Sequence, residues 1–208
     1  CTTKTSILFK RIDKTSENIG FDLIFDGKKN TSFRPKIVKF FSIIQEYCPY
    51  LKDYHLLISS SNSFPHSSGI ASSASSMSAL SLCIMSLEKK LTLIDDDYFF
   101  KKASFISRIG SGSASRSVYG GVNFWGKHKE LNNSSDLYSV KLSKNISSKF
   151  NNYRDVILII DDKEKEVSSS VGHGLMNDNP FSKVRFNAAN NNITKLLQIL
   201  ASGNLNDF

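Results

Sequence analysis

The sequence predicts a mixed fold of the α+β class, built from α/β-type layers. Strand-like and helical segments alternate irregularly, hairpin-like and crossover connections are mixed, and no internal repeat is present. Thr5–Lys10 and Phe21–Phe25 read as strands, the second running into the turn signal Asp26-Gly27. From Pro35 to Tyr47 the apolar residues Ile37, Phe40, Phe41, Ile44 and Tyr47 fall at helical spacing. Tyr54–Ile58 is a further strand, leading into the polar stretch Ser59–Ser63. A long helix rich in small residues follows from about Ile70 to Lys90. Asp95-Asp96-Asp97 offers an N-cap for a helix through Tyr98–Ser107. Tyr119–Trp125, Leu137–Leu142 and Asp155–Ile160 are strand-like, and Pro180–Leu200 is helical again. The Phe40-Phe41 and Phe99-Phe100 pairs belong to the core.

Composition narrows the function classes. The 208 residues are 40% hydrophobic and 22% charged, enough to bury a substantial core. No run approaches the roughly 20 apolar residues that span a bilayer. The net charge of +8 is spread along the chain, densest at Lys101-Lys102 and Lys127–Lys129, without an RNA-binding aromatic motif. Neither nucleic acid nor membrane is expected as a partner; an anionic small substrate suits the same charge. Cys1, Cys48 and Cys83 lack metal-ligand spacing and are odd in number, which favours a reducing compartment, the cytoplasm. His55, His128 and His173 likewise share no ligand spacing. The missing initiator Met and the abrupt close at Leu205–Phe208 lead us to expect a stretch of a longer protein.

Chemistry concentrates in two glycine/serine clusters. Between a strand and a helix lies Phe64-Pro65-His66-Ser67-Ser68-Gly69-Ile70-Ala71-Ser72-Ser73-Ala74, where a phosphate site is readily built. Gly69 allows close backbone approach, first-turn N–H groups of the helix face an anion, and serine hydroxyls can bond phosphate or ligate magnesium. No lysine follows a second glycine, so this is not the common nucleotide P-loop. An N-capped helix packed closely on a sheet would read similarly. The second cluster is Gly110-Ser111-Gly112-Ser113-Ala114-Ser115-Arg116, ahead of Tyr119-Gly120-Gly121. It makes either an anion nest, with Arg116 as a bidentate clamp, or a surface turn. Two such clusters in one domain favour the functional reading.

Pro65–Ala74 resembles the Pro-x-x-x-Gly-[Leu/Ile]-x-Ser-Ser-Ala phosphate loop of the GHMP small-molecule kinase superfamily. Gly110–Gly121 resembles the Gly-Ser-Gly-Ser-Ala-x-Arg-Ser-x-Tyr-Gly-Gly motif of its diphosphomevalonate decarboxylase branch, with Ser115 in place of the usual Cys. Val156–Ser169 and Trp125 are weaker matches. The resemblance implies the GHMP fold: a ribosomal-protein-S5-domain-2-like N-terminal domain over residues 1–153, lacking its first strands, then the beginning of a ferredoxin-like domain over residues 154–208. It implies that ATP phosphorylates the tertiary hydroxyl of mevalonate 5-diphosphate, and that loss of phosphate and carbon dioxide yields isopentenyl diphosphate. Pro65, Ser67, Ser68, Gly69, Ile70, Ala71, Ser72 and Ser73 are then the ATP-binding segment, with Ser72 or Ser73 on magnesium. Ser111 and Ser113 would hold the substrate diphosphate and Arg116 its carboxylate, which makes Arg116 and Ser113 the catalytic contacts here. Lys36 is a looser match to a diphosphate-binding base, and a homodimer is what the family suggests. Missing are the family's Lys-Tyr-Trp-Gly-Lys segment and its Asp in a Phe-Asp-Ala-Gly-Pro context, so these residues alone are expected to be catalytically incompetent. Asp161 and Asp162 are weak substitutes. The rivals are a GHMP kinase, a mevalonate-monophosphate decarboxylase and a non-catalytic binder of the same fold.

Overall fold

The computed structural model describes residues 1–29, 31–65, 69–142, 146–158 and 169–208. Three strands carry the body: β1 (Thr3–Arg11), β2 (Gly20–Phe25) and, after a short β3 (Lys28–Lys29), β4 (Tyr54–Asn62). The sheet order is β1-β4-β2-β3. β4 pairs antiparallel with β1 and parallel with β2, so the chain between β2 and β4 must cross over. Helix α1 (Arg34–Ile44) makes that crossover. Asp26 and Gly27 both take positive φ, 48° and 76°, which turns β2 directly into β3.

Alternation along the strands sends one face inward. Phe21 and Leu23 on β2, and Leu56, Ile58 and Ser60 on β4, are buried, while Ile7 and Phe9 of β1 are half-buried. Against this face pack Ile37, Phe40, Phe41 and Ile44 of α1, with the Phe41 ring 5.2 Å from that of Phe21. Helix α2 (Ser72–Leu91) adds Met77, Leu80, Ile84 and Met85 to the same core. Helix α3 (Asp96–Gly110) closes it with Ala103 and Ile106. Its N-cap is the expected Asp95, whose carboxylate accepts the Tyr98 N–H at 2.8 Å.

A short loop makes α2 and α3 an antiparallel pair, pinned at the loop end by charge. Lys89 meets Asp96 at 2.6 Å, and Lys102 donates to both oxygens of Glu88 at 2.8 Å. The second pair is largely sheltered, at 16% and 9% side-chain exposure, and Tyr98 lies 3.2 Å from the same ammonium. Burial opposes the charge on Lys102, but its hydrogen bonds to Glu88 and Tyr98 and the negative charge nearby together outweigh it and the pKa rises. Nearby, desolvation pushes the Cys48 thiol up to about 11.

Several elements differ from expectation. β4 continues to Asn62, because Ser60 keeps the inward alternation of Leu56 and Ile58. α2 begins at Ser72 rather than Ile70. The expected strands near residues 119 and 137 shrink to β5 (Asn123–Trp125) and β6 (Ser139–Lys141), paired antiparallel. Residues 155–158 form no strand: Val156 is 81% and Leu158 83% exposed, with no neighbouring strand to pair with among the described residues. Residues 159–168, including Asp161 and Asp162, lie outside the described residues. Beyond them come α4 (Ser169–Gly174) and α5 (Ser182–Ser202). The buried His128 ties α5 to the body, its Nε2 3.2 Å from the Asn190 carbonyl.

Replacing Lys102 by Met strands the Glu88 carboxylate in the interior. We expect a loss of about 3–5 kcal/mol in denaturant unfolding, and a smaller loss when Glu88→Met is added.

Candidate anion-binding site

The first cluster opens the cavity from the sheet side. The inward face of β4 turns polar towards its C-terminal end, where the Ser60 and Thr5 hydroxyls lie 2.9 Å apart. Thr3 Oγ1 reaches Ser75 on the first turn of α2 at 2.8 Å and so fixes that turn against β1. Ahead of α2, Gly69 and Ala71 take positive φ, 89° and 54°. Ala71 sits at the N-cap, and no side chain caps the helix. The Ala74 N–H bonds back to the Ala71 carbonyl, and the N–H groups of Ser72 and Ser73 are left for an external acceptor, reinforced by the helix dipole. Ser67 and Ser68, with His66, lie outside the described residues. Ser72 and Ser73 line the cavity together with Gly69 and Ala71, whereas Pro65 and Ile70 are not among its lining.

The second cluster is neither an open nest nor a surface turn. After Gly110 ends α3, Ser111 is extended and Gly112–Val118 coils as a 3₁₀ helix, with Ala114, Ser115 and Val118 inward. Gly110 is required by close packing: a Cβ there would stand 2.5 Å from Met77 Sδ and 3.2 Å from the Phe40 ring. At Gly112 a Cβ would meet the Trp125 ring at 3.2 Å. This approach brings the end of α3 to the start of α2, and the Ser73 and Ser111 hydroxyls come within 3.2 Å. Ser113 is half-buried on the same rim, and Arg116 is exposed and pairs with no carboxylate among the described residues.

Together they enclose a cavity of about 800 Å³. Lys36 of α1 enters from the far wall, and Ile37, Ile58 and Met77 form an apolar floor. Lys36 as a residue is exposed, yet the surrounding protein costs its ammonium hydration and holds its pKa below the usual lysine value. Among the described residues no Asp or Glu lines the cavity. With two cations, the N–H groups of Ser72 and Ser73, four serine hydroxyls of the two motifs and no carboxylate among the described lining residues, the site can hold a polyanion still. Among the described lining residues there is no carboxylate to accept a proton from a substrate hydroxyl. Thus Lys36, Ser72, Ser73, Ser111, Ser113 and Arg116 line one cavity.

Residues not assigned from sequence also line it: Thr5, Ser60, Trp125 and, from α4, His173. Ser60 carried a usable signal, since a polar residue at an inward strand position after Leu56 and Ile58 needs a partner or a ligand. His173 carried none.

Residues 1–138 match the diphosphomevalonate decarboxylase-like N-terminal domain. A diphosphomevalonate decarboxylase of Ganoderma lucidum is 36% identical over 124 residues, which are 60% of this chain and 29% of that protein. The Saccharomyces cerevisiae enzyme of that name is 34% identical over 124 residues, with coverage of 60% and 29%. Among solved structures, mevalonate diphosphate decarboxylase from Staphylococcus aureus superposes with a TM-score of 0.73 at 26% identity, covering 99% of this chain and 57% of that one. A neighbour in complex with MVAPP, AMPPCP and magnesium shares the fold, with a TM-score of 0.70 at 22% identity over 99% of this chain and 58% of that one. The matched stretch is thus under a third of these sequence relatives.

Two outcomes test the geometry. Ala71→Gly relieves about 1–2 kcal/mol of left-handed strain and gives back ~0.4–1 kcal/mol to the freer unfolded chain, so unfolding shows a net gain of about 0.5–1 kcal/mol. Lys36, with its lowered pKa, is part neutral as pH approaches the ordinary value of 10.5, and an anion favours the charged form. Binding of inorganic pyrophosphate at alkaline pH therefore takes up protons, read by calorimetry in buffers of different ionisation enthalpy, and Lys36→Met removes the uptake.

Proposed function

Since the chain belongs to the diphosphomevalonate decarboxylase family through its N-terminal domain, we propose that it forms the phosphate- and substrate-holding part of an enzyme converting mevalonate 5-diphosphate and ATP to isopentenyl diphosphate, ADP, phosphate and carbon dioxide. The observation that carries this reading is the cavity in which Ser73 and Ser111 meet, with no carboxylate among its described lining residues. Two phosphate-bearing ligands must lie side by side for phosphoryl transfer, and here two phosphate-type clusters share one wall.

The N-terminal turn of α2, from Gly69 to Ser73, takes the ATP phosphates. The chemistry of the donors fits magnesium of the kind that phosphates mostly coordinate: hydroxyl oxygens of Ser72 or Ser73 are present, and among the described residues there is no carboxylate cage. Bound there, the ion would neutralise phosphate charge. Ser111 and Ser113 hold the substrate diphosphate, with Lys36 supplying charge from the opposite wall. Arg116, without a carboxylate partner among the described residues, pairs with the substrate carboxylate in the fork geometry that guanidinium favours. Keeping the cavity free of acids serves the second half of the reaction, where a carboxylate of the protein would repel the substrate's own. No carboxylate among the described lining residues serves as proton acceptor for the tertiary hydroxyl. A domain boundary near residue 153 and a cytoplasmic, reducing setting complete the proposal; the unpaired Cys1, Cys48 and Cys83 support the setting.

The absence of an acid among the described cavity residues also favours a second reading, a non-catalytic polyanion binder. Carboxyl-labelled mevalonate 5-diphosphate, with ATP and magnesium, decides between them in the complete protein. We expect one ADP per carbon dioxide released, and a fall in kcat/KM of about a hundredfold or more for Arg116→Met. ADP without carbon dioxide would make it a kinase, release from the monophosphate alone would move the substrate, and neither product would leave the binder. Protein containing only residues 1–208 is expected to release none.

A further inference from the structure

Ser104 lines no part of the cavity, yet it sits where the geometry of the Arg116 turn is decided. It lies in the middle of α3 with 0% exposure, and its Oγ donates to the Ser115 carbonyl at 2.7 Å. The same oxygen accepts the Ser139 N–H of β6 at 2.8 Å. One hydroxyl thus uses its donor and one of its acceptor sites to join α3, the 3₁₀ turn and the β5–β6 ribbon. The partners are equally enclosed, Ser115 and Ser139 both at 0% exposure. Each extends the network: Ser115 Oγ donates to the Gly112 carbonyl at 3.0 Å, and Ser139 Oγ lies 2.9 Å from Asn123 Oδ1.

We propose that Ser104 is a positioning residue for the substrate-diphosphate and carboxylate subsite, acting through the Ser115–Arg116 peptide; this rests on the reading of Ser111, Ser113 and Arg116 given above. The peptide unit is planar and trans, so its carbonyl and the following N–H point opposite ways. Anchoring the Ser115 carbonyl to Ser104 fixes the plane from which the Arg116 side chain departs. The bond from Ser115 to Gly112 carries the same constraint back across Ser113. Because the Arg116 guanidinium has no internal carboxylate partner among the described residues, its backbone is what aims it. No residue of α2 takes part in the Ser104–Ser115–Ser139 hydrogen bonds; α2 meets the second cluster through the separate Ser73–Ser111 contact.

The test is calorimetric titration of inorganic pyrophosphate into the complete protein saturated with a non-hydrolysable ATP analogue. Ser104→Ala is expected to weaken pyrophosphate by about tenfold and to leave the affinity for the ATP analogue unchanged. Ser104→Cys, which keeps a weaker donor and acceptor, falls between and supplies the measurement if the alanine variant does not fold. Ala103→Gly on the same helix is the control for lost stability alone, with both affinities kept. Pyrophosphate affinity unchanged in Ser104→Ala overturns the proposal, as does a parallel loss for both ligands. If the unsubstituted protein binds no pyrophosphate, the reading of the subsite fails first and takes the proposal with it.

Discussion

The close approach of two helix ends governs this molecule. Where α3 finishes, Gly110 lies against Met77 of α2 and the Phe40 ring, at a distance that no side chain could share. An alanine there would have to displace the Met77 side chain and press on the Phe40 ring, straining the packing beside the Ser73–Ser111 contact of 3.2 Å. Charge at the far end of the same hairpin holds the register. The sheltered Glu88–Lys102 pair and the Lys89–Asp96 contact leave α3 one way to lie along α2. Stability and site geometry therefore meet in one supersecondary unit.

Electrostatics follow from that geometry. Acidic groups near α2 and α3 are used at the loop end, in ion pairs and at the Asp95 cap, while the opposite end keeps Arg116 and the uncapped helix N-terminus for a ligand. Lys36 is held short of water without a carboxylate to offset the loss. An arrangement of unpaired positive groups costs the free protein something, and a bound polyanion returns it. The same logic explains why Ser104 matters: an exposed arginine with no internal partner among the described residues is only as well aimed as the backbone that carries it.

Much of this was legible in the sequence, for physical reasons that differ by element. Apolar spacing at Ile37, Phe40, Phe41 and Ile44 is a local property, and so is the Asp95 cap; both appear where they were expected. The two glycine/serine clusters were visible because phosphate binding demands small residues in a particular order. Their meeting was not, since Ser73 and Ser111 stand 38 positions apart and nothing local specifies the contact. The second cluster was read as nest or turn, and became a 3₁₀ helix because Ala114, Ser115 and Val118 have a core to enter. The run from residue 155 to 160 misled in the opposite sense: an apolar, β-branched segment needs a neighbour to become a strand, and residues 155–158 have none among the described residues. His173 reaches the cavity from a helix whose placement no sequence pattern announced.

The most direct test is a crystal structure of the complete protein with mevalonate 5-diphosphate and a non-hydrolysable ATP analogue. The account predicts nucleotide phosphates on the amides at the start of α2, with the substrate diphosphate on Ser111 and Ser113 and its carboxylate on Arg116. Both ligands would then sit in one cavity on either side of the Ser73–Ser111 contact. Phosphates bound elsewhere, with Lys36 and Arg116 left in solvent, would contradict it.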